Sequence, residues 1–110
     1  MLSALADSGE VDILATTVCS LNPWAVHTVV AVNTYFNRPD LPTAAVKNPR
    51  VYRNSKYAKI IPKEFPQDAG LGEEAEVAIN LYRRILAEQP DNSVTIVTVG
   101  YLTDLSYLLQ

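Results

Sequence analysis

The chain has 110 residues, of which 48% are hydrophobic and 19% charged, and a net charge of −3. This is a globular composition, sufficient for one domain with one modest core, and it excludes an intrinsically disordered chain. The acidic balance gives no reason to expect nucleic acid or an anionic membrane surface as a partner, and no apolar run reaches the about 18 residues needed for a membrane-spanning helix.

Residues 1–7 have Leu2, Leu5 and Ala6 at helical spacing, and Gly9 offers the left-handed residue that ends a helix. A helix that opens at residue 1 has neither a cap nor a preceding strand of its own. "VDILATTV", residues 11–18, is a continuous apolar and β-branched run, the pattern of a parallel strand buried on both faces. "LNPWAVHTVVAVNTYFNRP" follows. Asn22 is a good N-cap, and Pro23 stands where a missing N–H costs nothing, so a helix is expected over 23–36. Asn37 and Pro39 stop it. "LPTAAV", residues 41–46, reads as a short second strand with its core near 42–46.

Residues 47–72 are proline-rich and irregular, and read as a long loop with one short turn of structure. Loops this long in compact domains often shape binding sites, so this one is expected near the carboxyl ends of the strands. Arg50, Arg53, Lys56, Lys59 and Lys63 lie in it and read as a solvated face. Residues 73–89 form an amphipathic pattern, with Ala78, Leu81, Tyr82 and Ile85 on one face and glutamates in the first turn. Residues 93–99, "SVTIVTV", read as a third strand, and 102–109 as a last helix. The alternation predicts an α/β fold: a partial, open, mostly parallel sheet with helices on both faces, in one unit over 1–110.

Cys19 is the single cysteine, so no internal disulfide and no cysteine metal cluster forms; it reads as a small core residue at a strand end. His27 lies inside the second helix with no nucleophile at a useful spacing, and reads as a packed or surface histidine. No phosphate-binding glycine loop and no zinc-protease motif is present. "MLSALADSGE" is too short and too acidic for a secretory signal, which places the chain in the cytoplasm by default.

In open parallel sheets, ligands bind beyond the carboxyl ends of strands. Two such ends carry information. "CSLNPW" presents the Asn22 amide at a helix start, and in "VGYLTD" the turn at Gly100 leaves the Val99 carbonyl pointing out of the sheet, where it suits a hard cation. Asn22 as a plain cap and Gly100 as a plain turn account for the same residues. Asp104 falls in the first turn of the last helix, where the dipole alone favours a carboxylate, and is expected to point away from a ligand at Val99.

"VDILATTVCSLNPWAVHTVVAVNTYFNRPDLPTAAVK" followed by "VTIVTVGYLTDLSYLL" resembles the inosine/uridine-preferring nucleoside hydrolase family. The likeness lies in a strand ending T-T-V, an asparagine-bearing turn, a D-x-P strand and a G-x-L-T-N/D-L corner, in that order. The resemblance implies a Rossmann-like sheet and hydrolysis of the N-glycosidic bond of ribonucleosides. It implies one Ca²⁺ held by an aspartate cluster, which activates the attacking water. It aligns the Val99 carbonyl with the backbone metal ligand of the corner, and Asn22, within one residue, with an asparagine that holds the ribose. It gives no catalytic residue within this chain.

Two parts of the family pattern are absent from these residues: the D-x-D-x-x-x-D-D motif and the later histidine–aspartate pair. The chain therefore reads as an inner piece of a nucleoside hydrolase-like protein, inactive alone and a poor binder of Ca²⁺. The alternative is a non-catalytic α/β module for binding or assembly. An unpaired sheet edge would favour association between copies.

Overall fold

The computed structural model describes residues 1–48, 53, 55–65 and 75–110. Its elements are α1 (Leu2–Asp7), β1 (Thr16–Val18), α2 (Ala25–Tyr35), β2 (Thr43–Ala45), α3 (Ile61–Glu64), β3 (Glu76–Val77), α4 (Ala78–Ala87) and α5 (Thr103–Leu108). The strands form one sheet in the order β1-β2-β3, and both pairings are parallel. This is the expected α/β arrangement at its coarsest level.

Consecutive residues of a strand face opposite ways, and β2 uses this to hold two helices. Ala45 packs with Val18 and Val26 against α2, while Ala44 packs with Ala78 and Leu81 of α4. The register sets Thr17 beside Ala44 and Val18 beside Ala45, so each layer continues across the sheet. Polar groups follow the same division. The Thr17 and Tyr82 hydroxyls meet at 2.7 Å on the α4 side. On the α2 side the buried Asn33 donates to the Thr16 hydroxyl at 3.3 Å, and the hydroxyls of Thr16 and Thr43 meet at 2.9 Å. Ala78, Leu81, Tyr82 and Ile85 form the inner face of α4, as their spacing predicts.

Both long-range stops lie where the sequence puts them. Gly9 (φ 77°) and Asn37 (φ 59°) are left-handed. Each follows a helix C-cap, and each is flanked by the two crossed bonds of a Schellman motif, Glu10 N–H to the Leu5 carbonyl and Arg38 N–H to the Asn33 carbonyl being the outer pair. An ion pair of 2.8 Å between Arg38 and Asp7 ties the two helix ends together.

The structure corrects four boundaries. The first strand covers 16–18 and not 11–18. Thr16 donates to the Pro42 carbonyl at 2.9 Å, and Pro42 has no N–H to return, so the ladder stops there. The second helix begins at Ala25 and not at 23, because the Asn22 side chain folds over residue 24 in a turn of its own. The helix expected from Glu73 begins at Ala78. Glu76 and Val77 instead find main-chain partners on Ala44 and Ala45, and a paired strand outweighs modest helix propensity. Glu73 and Glu74 lie outside the described residues. Finally, 93–99 is extended but unpaired, and the third strand is Glu76–Val77. The outer edge of β2 is taken by β3, and between 93–97 and residues 11–15 lies a cavity of about 460 Å³.

The described part of the long loop runs over the start of α2. The Thr28 hydroxyl donates to the Ala58 carbonyl at 2.8 Å, Ala58 is buried, and α3 supplies the expected short turn of structure. Among the described residues no helix is long and apolar enough to cross a membrane.

Candidate functional site

Asn22 sits just past the carboxyl end of β1. Its Oδ1 accepts the Trp24 N–H at 2.9 Å, and its Nδ2 donates to the Arg53 carbonyl at 2.9 Å. The side chain thus joins the helix start to the long loop, which brings Arg53 to the sheet end expected of it. Val99 stands apart from the packed core, with its side chain 95% exposed. The two corners are nevertheless neighbours. A Cβ built on Gly100 would collide with Cys19 Sγ, so the turn after Val99 lies against the residue that follows β1. Glycine is required at this place for close approach and not for a left-handed φ.

Cys19 is half-buried and serves as the contact surface for that turn. His27 is buried beside Trp24, with ring centroids 6.0 Å apart, in keeping with a packed histidine. Arg53, Lys56, Lys59 and Lys63 are exposed, as a solvated face requires, and Arg50 lies outside the described residues. Lys59 and Lys63 place their ammonium groups 5.9 and 5.7 Å from the Trp24 ring centre, within cation–π range.

A second cavity of about 460 Å³ opens at the carboxyl ends of β2 and β3, lined by Val46 to Asn48, Val77, Asp104 and Tyr107. Asp104 is only 6% exposed and accepts no hydrogen bond among the described residues. Burial pushes its carboxyl above the usual carboxylate range. Asn48 Nδ2 donates to the Tyr107 hydroxyl at 3.2 Å on the same cavity wall. The sequence reading assigned none of these residues. The signal for Asp104 was its place between Leu102 and Leu105 at the start of a short apolar helix, which makes a solvated carboxylate hard to arrange. Neither Asn22 nor Val99 lines this cavity or the one beside 93–97.

A Ca²⁺ site needs six to eight oxygen ligands, several of them carboxylates. Among the described residues no three His, Cys, Asp or Glu side chains come together in a way that could hold a metal ion. Among the described residues the two corners offer the Asn22 amide, side-chain hydroxyls and main-chain carbonyls, without a cluster of carboxylates. That set does not fit a Ca²⁺ held by these residues alone.

Comparison with family models, with curated proteins and with solved structures finds no match for this chain.

Proposed function

We propose that the chain carries part of a nucleoside hydrolase-like scaffold whose parent cleaves the N-glycosidic bond of ribonucleosides. One observation carries this reading: the turn at Gly100 lies against Cys19, so the T-T-V-C-S-L-N and G-Y-L-T-D-L corners share one end of the molecule. That is the juxtaposition a sugar site built from both corners needs. In this reading Asn22 contributes an amide to the ribose hydroxyls. Its Nδ2 now donates to a main-chain carbonyl, a bond that a sugar hydroxyl can replace at small net cost. The carboxylates that would hold Ca²⁺ are not supplied by these residues, so the chain alone binds the ion poorly and turns over no substrate.

The test is an NMR titration of the purified chain with inosine, uridine and ribose, paired with Ca²⁺ calorimetry and a hydrolysis assay. Amide shifts confined to residues 20–24 and 99–102, lost in Asn22→Ala, support the reading. Shifts centred on Asp104 and Tyr107, or none at all, overturn it, and turnover by this chain would refute the assignment of the carboxylates elsewhere. A second reading, a non-catalytic assembly module, is favoured by one observation: Ile96, Val97, Val99, Tyr101 and Leu102 are exposed apolar side chains in one stretch.

A further inference from the structure

The cavity at the carboxyl ends of β2 and β3 is bordered by a carboxyl group that neither the fold nor the proposed sugar site uses. Asp104 is only 6% exposed. Among the described residues every fully buried side-chain nitrogen or oxygen has a hydrogen-bond partner. The Asp104 carboxyl has none, so its oxygens are not sealed into the core, and the space that Asp104 lines is this cavity. Enclosing a carboxyl without a donor costs free energy, most of all when it is ionised. A chain keeps such a group where a ligand offsets that cost, and a perturbed carboxyl in a cleft marks a site.

We propose that this cavity binds a small organic cation, a primary ammonium or amidinium group on an apolar body, whose N–H groups pair with the Asp104 carboxylate. A carboxylate accepts hydrogen bonds and donates none, so its complement is an N–H donor, and the pairing is strongest when that donor is charged. Asp104 and Tyr107 stand one helical turn apart on α5 and so share a face. The Tyr107 hydroxyl already takes a proton from Asn48 Nδ2 at 3.2 Å, which leaves its oxygen a further lone pair for a ligand N–H. An aromatic ring in the lining also attracts cations and not anions. Val46, Val77 and Ile79 supply the apolar wall that receives the body of the ligand. A volume of about 460 Å³ lies in the usual range for small-molecule sites. Lys47 is the other charged residue of the lining, and it is exposed. Its like charge works against the cation, so its removal is part of the test. The proposal does not rest on the nucleoside reading, whose ligands are uncharged and bind at the two corners.

The probes are phenethylammonium and benzamidinium, with 2-phenylethanol, benzamide and benzoate as their neutral and anionic counterparts. The measurement is an NMR titration of the full 110-residue chain at pH 7. Saturable amide shifts at 46–48, 77–79 and 104–107 with at least one cation, at a Kd below about 1 mM, support the proposal when the Asp104 carboxyl ¹³C signal moves with them. The neutral counterpart should bind about tenfold more weakly or worse. Equal binding by the neutral counterpart, tighter binding by benzoate, or no saturation by either cation overturns the proposal. Asp104→Asn keeps the shape and removes the charge. It should weaken cation binding by about tenfold or more and leave the neutral counterpart unchanged, and an unchanged cation affinity overturns the assignment. Lys47→Met, at an exposed position, should not weaken cation binding, because it takes away a like charge. Loss of binding in that variant would place the ligand on Lys47 and overturn the choice of a cation.

Discussion

Thr16–Val18 and the run from Val94 to Val99 are built of the same residues, threonine and β-branched aliphatics, and both are extended. Their surroundings differ completely. Val18 is 7% exposed, paired with Ala45, and packed under α2. Val97 is 51% exposed and Val99 is 95% exposed, and neither has a ladder partner among the described residues. The comparison separates two things that strand propensity merges. β-branched residues favour the extended conformation locally, but a strand becomes a sheet member only when another backbone lies beside it. Around β2 both neighbours are present. Beside 93–97 lies the cavity toward residues 11–15.

Amide exchange should give the widest contrast between the two regions. The Val46 N–H, bonded to the Val18 carbonyl at 2.9 Å, should open only with global unfolding. For a domain of ordinary stability, about 5 kcal/mol, that is a protection of roughly a thousandfold or more. Amides of 94–99 should exchange near the unprotected rate. Strong protection of Val97 in the isolated chain would show that it pairs in solution, and the contrast would disappear.

Core truncation comes next. Leu81 is 1% exposed and packs against Ala44 and Ala78, so Leu81→Ala should destabilise by about 3 kcal/mol in urea unfolding. Val97→Ala should stay within about 0.5 kcal/mol, as a half-exposed site outside the core does. Equal costs would mean that the 94–99 run is buried after all.

A smaller effect tests the one place where the two regions touch. Gly100→Ala forces a methyl group into Cys19 Sγ and should cost up to about 1 kcal/mol, the thiol having to turn aside to make room. Cys19→Ala removes the obstacle, and the Cys19→Ala/Gly100→Ala double variant should lose less than the sum of the singles. Simple additivity would show that the corners do not pack together.

Much of this arrangement was legible in the sequence. The alternation of apolar runs with helical periodicity gave the parallel sheet, the inner face of α4, and the stops at Gly9 and Asn37. The terminations of strands were not legible, because they depend on long-range partners: Pro42 limits β1 only because it is the residue beside Thr16. The identity of the third strand was hidden for the same reason. "VTIVTV" has every local mark of a strand, whereas Glu76–Val77 looks like part of a helix until Ala44 and Ala45 are seen alongside. At the candidate site, the sequence marked the two corners as separate strand ends, and their contact through Gly100 and Cys19 is visible only in the structure. The cavity at Asp104 was not legible either, since it needs α5 folded back beside the end of β2.

Asp104 yields the subtlest prediction, and its sign can be worked out. Burial holds its carboxyl above the ordinary range. An unfolded chain releases this proton near pH 3.9, while the folded chain retains it to higher pH. Between those two values the native state binds more protons than the unfolded state, so unfolding free energy falls as pH rises through the window and stays lower above it. Asp104→Asn removes the charge and keeps the shape. The variant should therefore melt at a higher temperature than the parent at pH 7, with the difference shrinking toward pH 3, where both side chains are neutral. A melting difference that does not change with pH would mean that the carboxylate is solvated. A carboxyl pKa at or below the ordinary value, read from its ¹³C shift, would mean that a partner group stabilises the anion. Either result would contradict the environment that sets Asp104 apart from the exposed residues of 94–99.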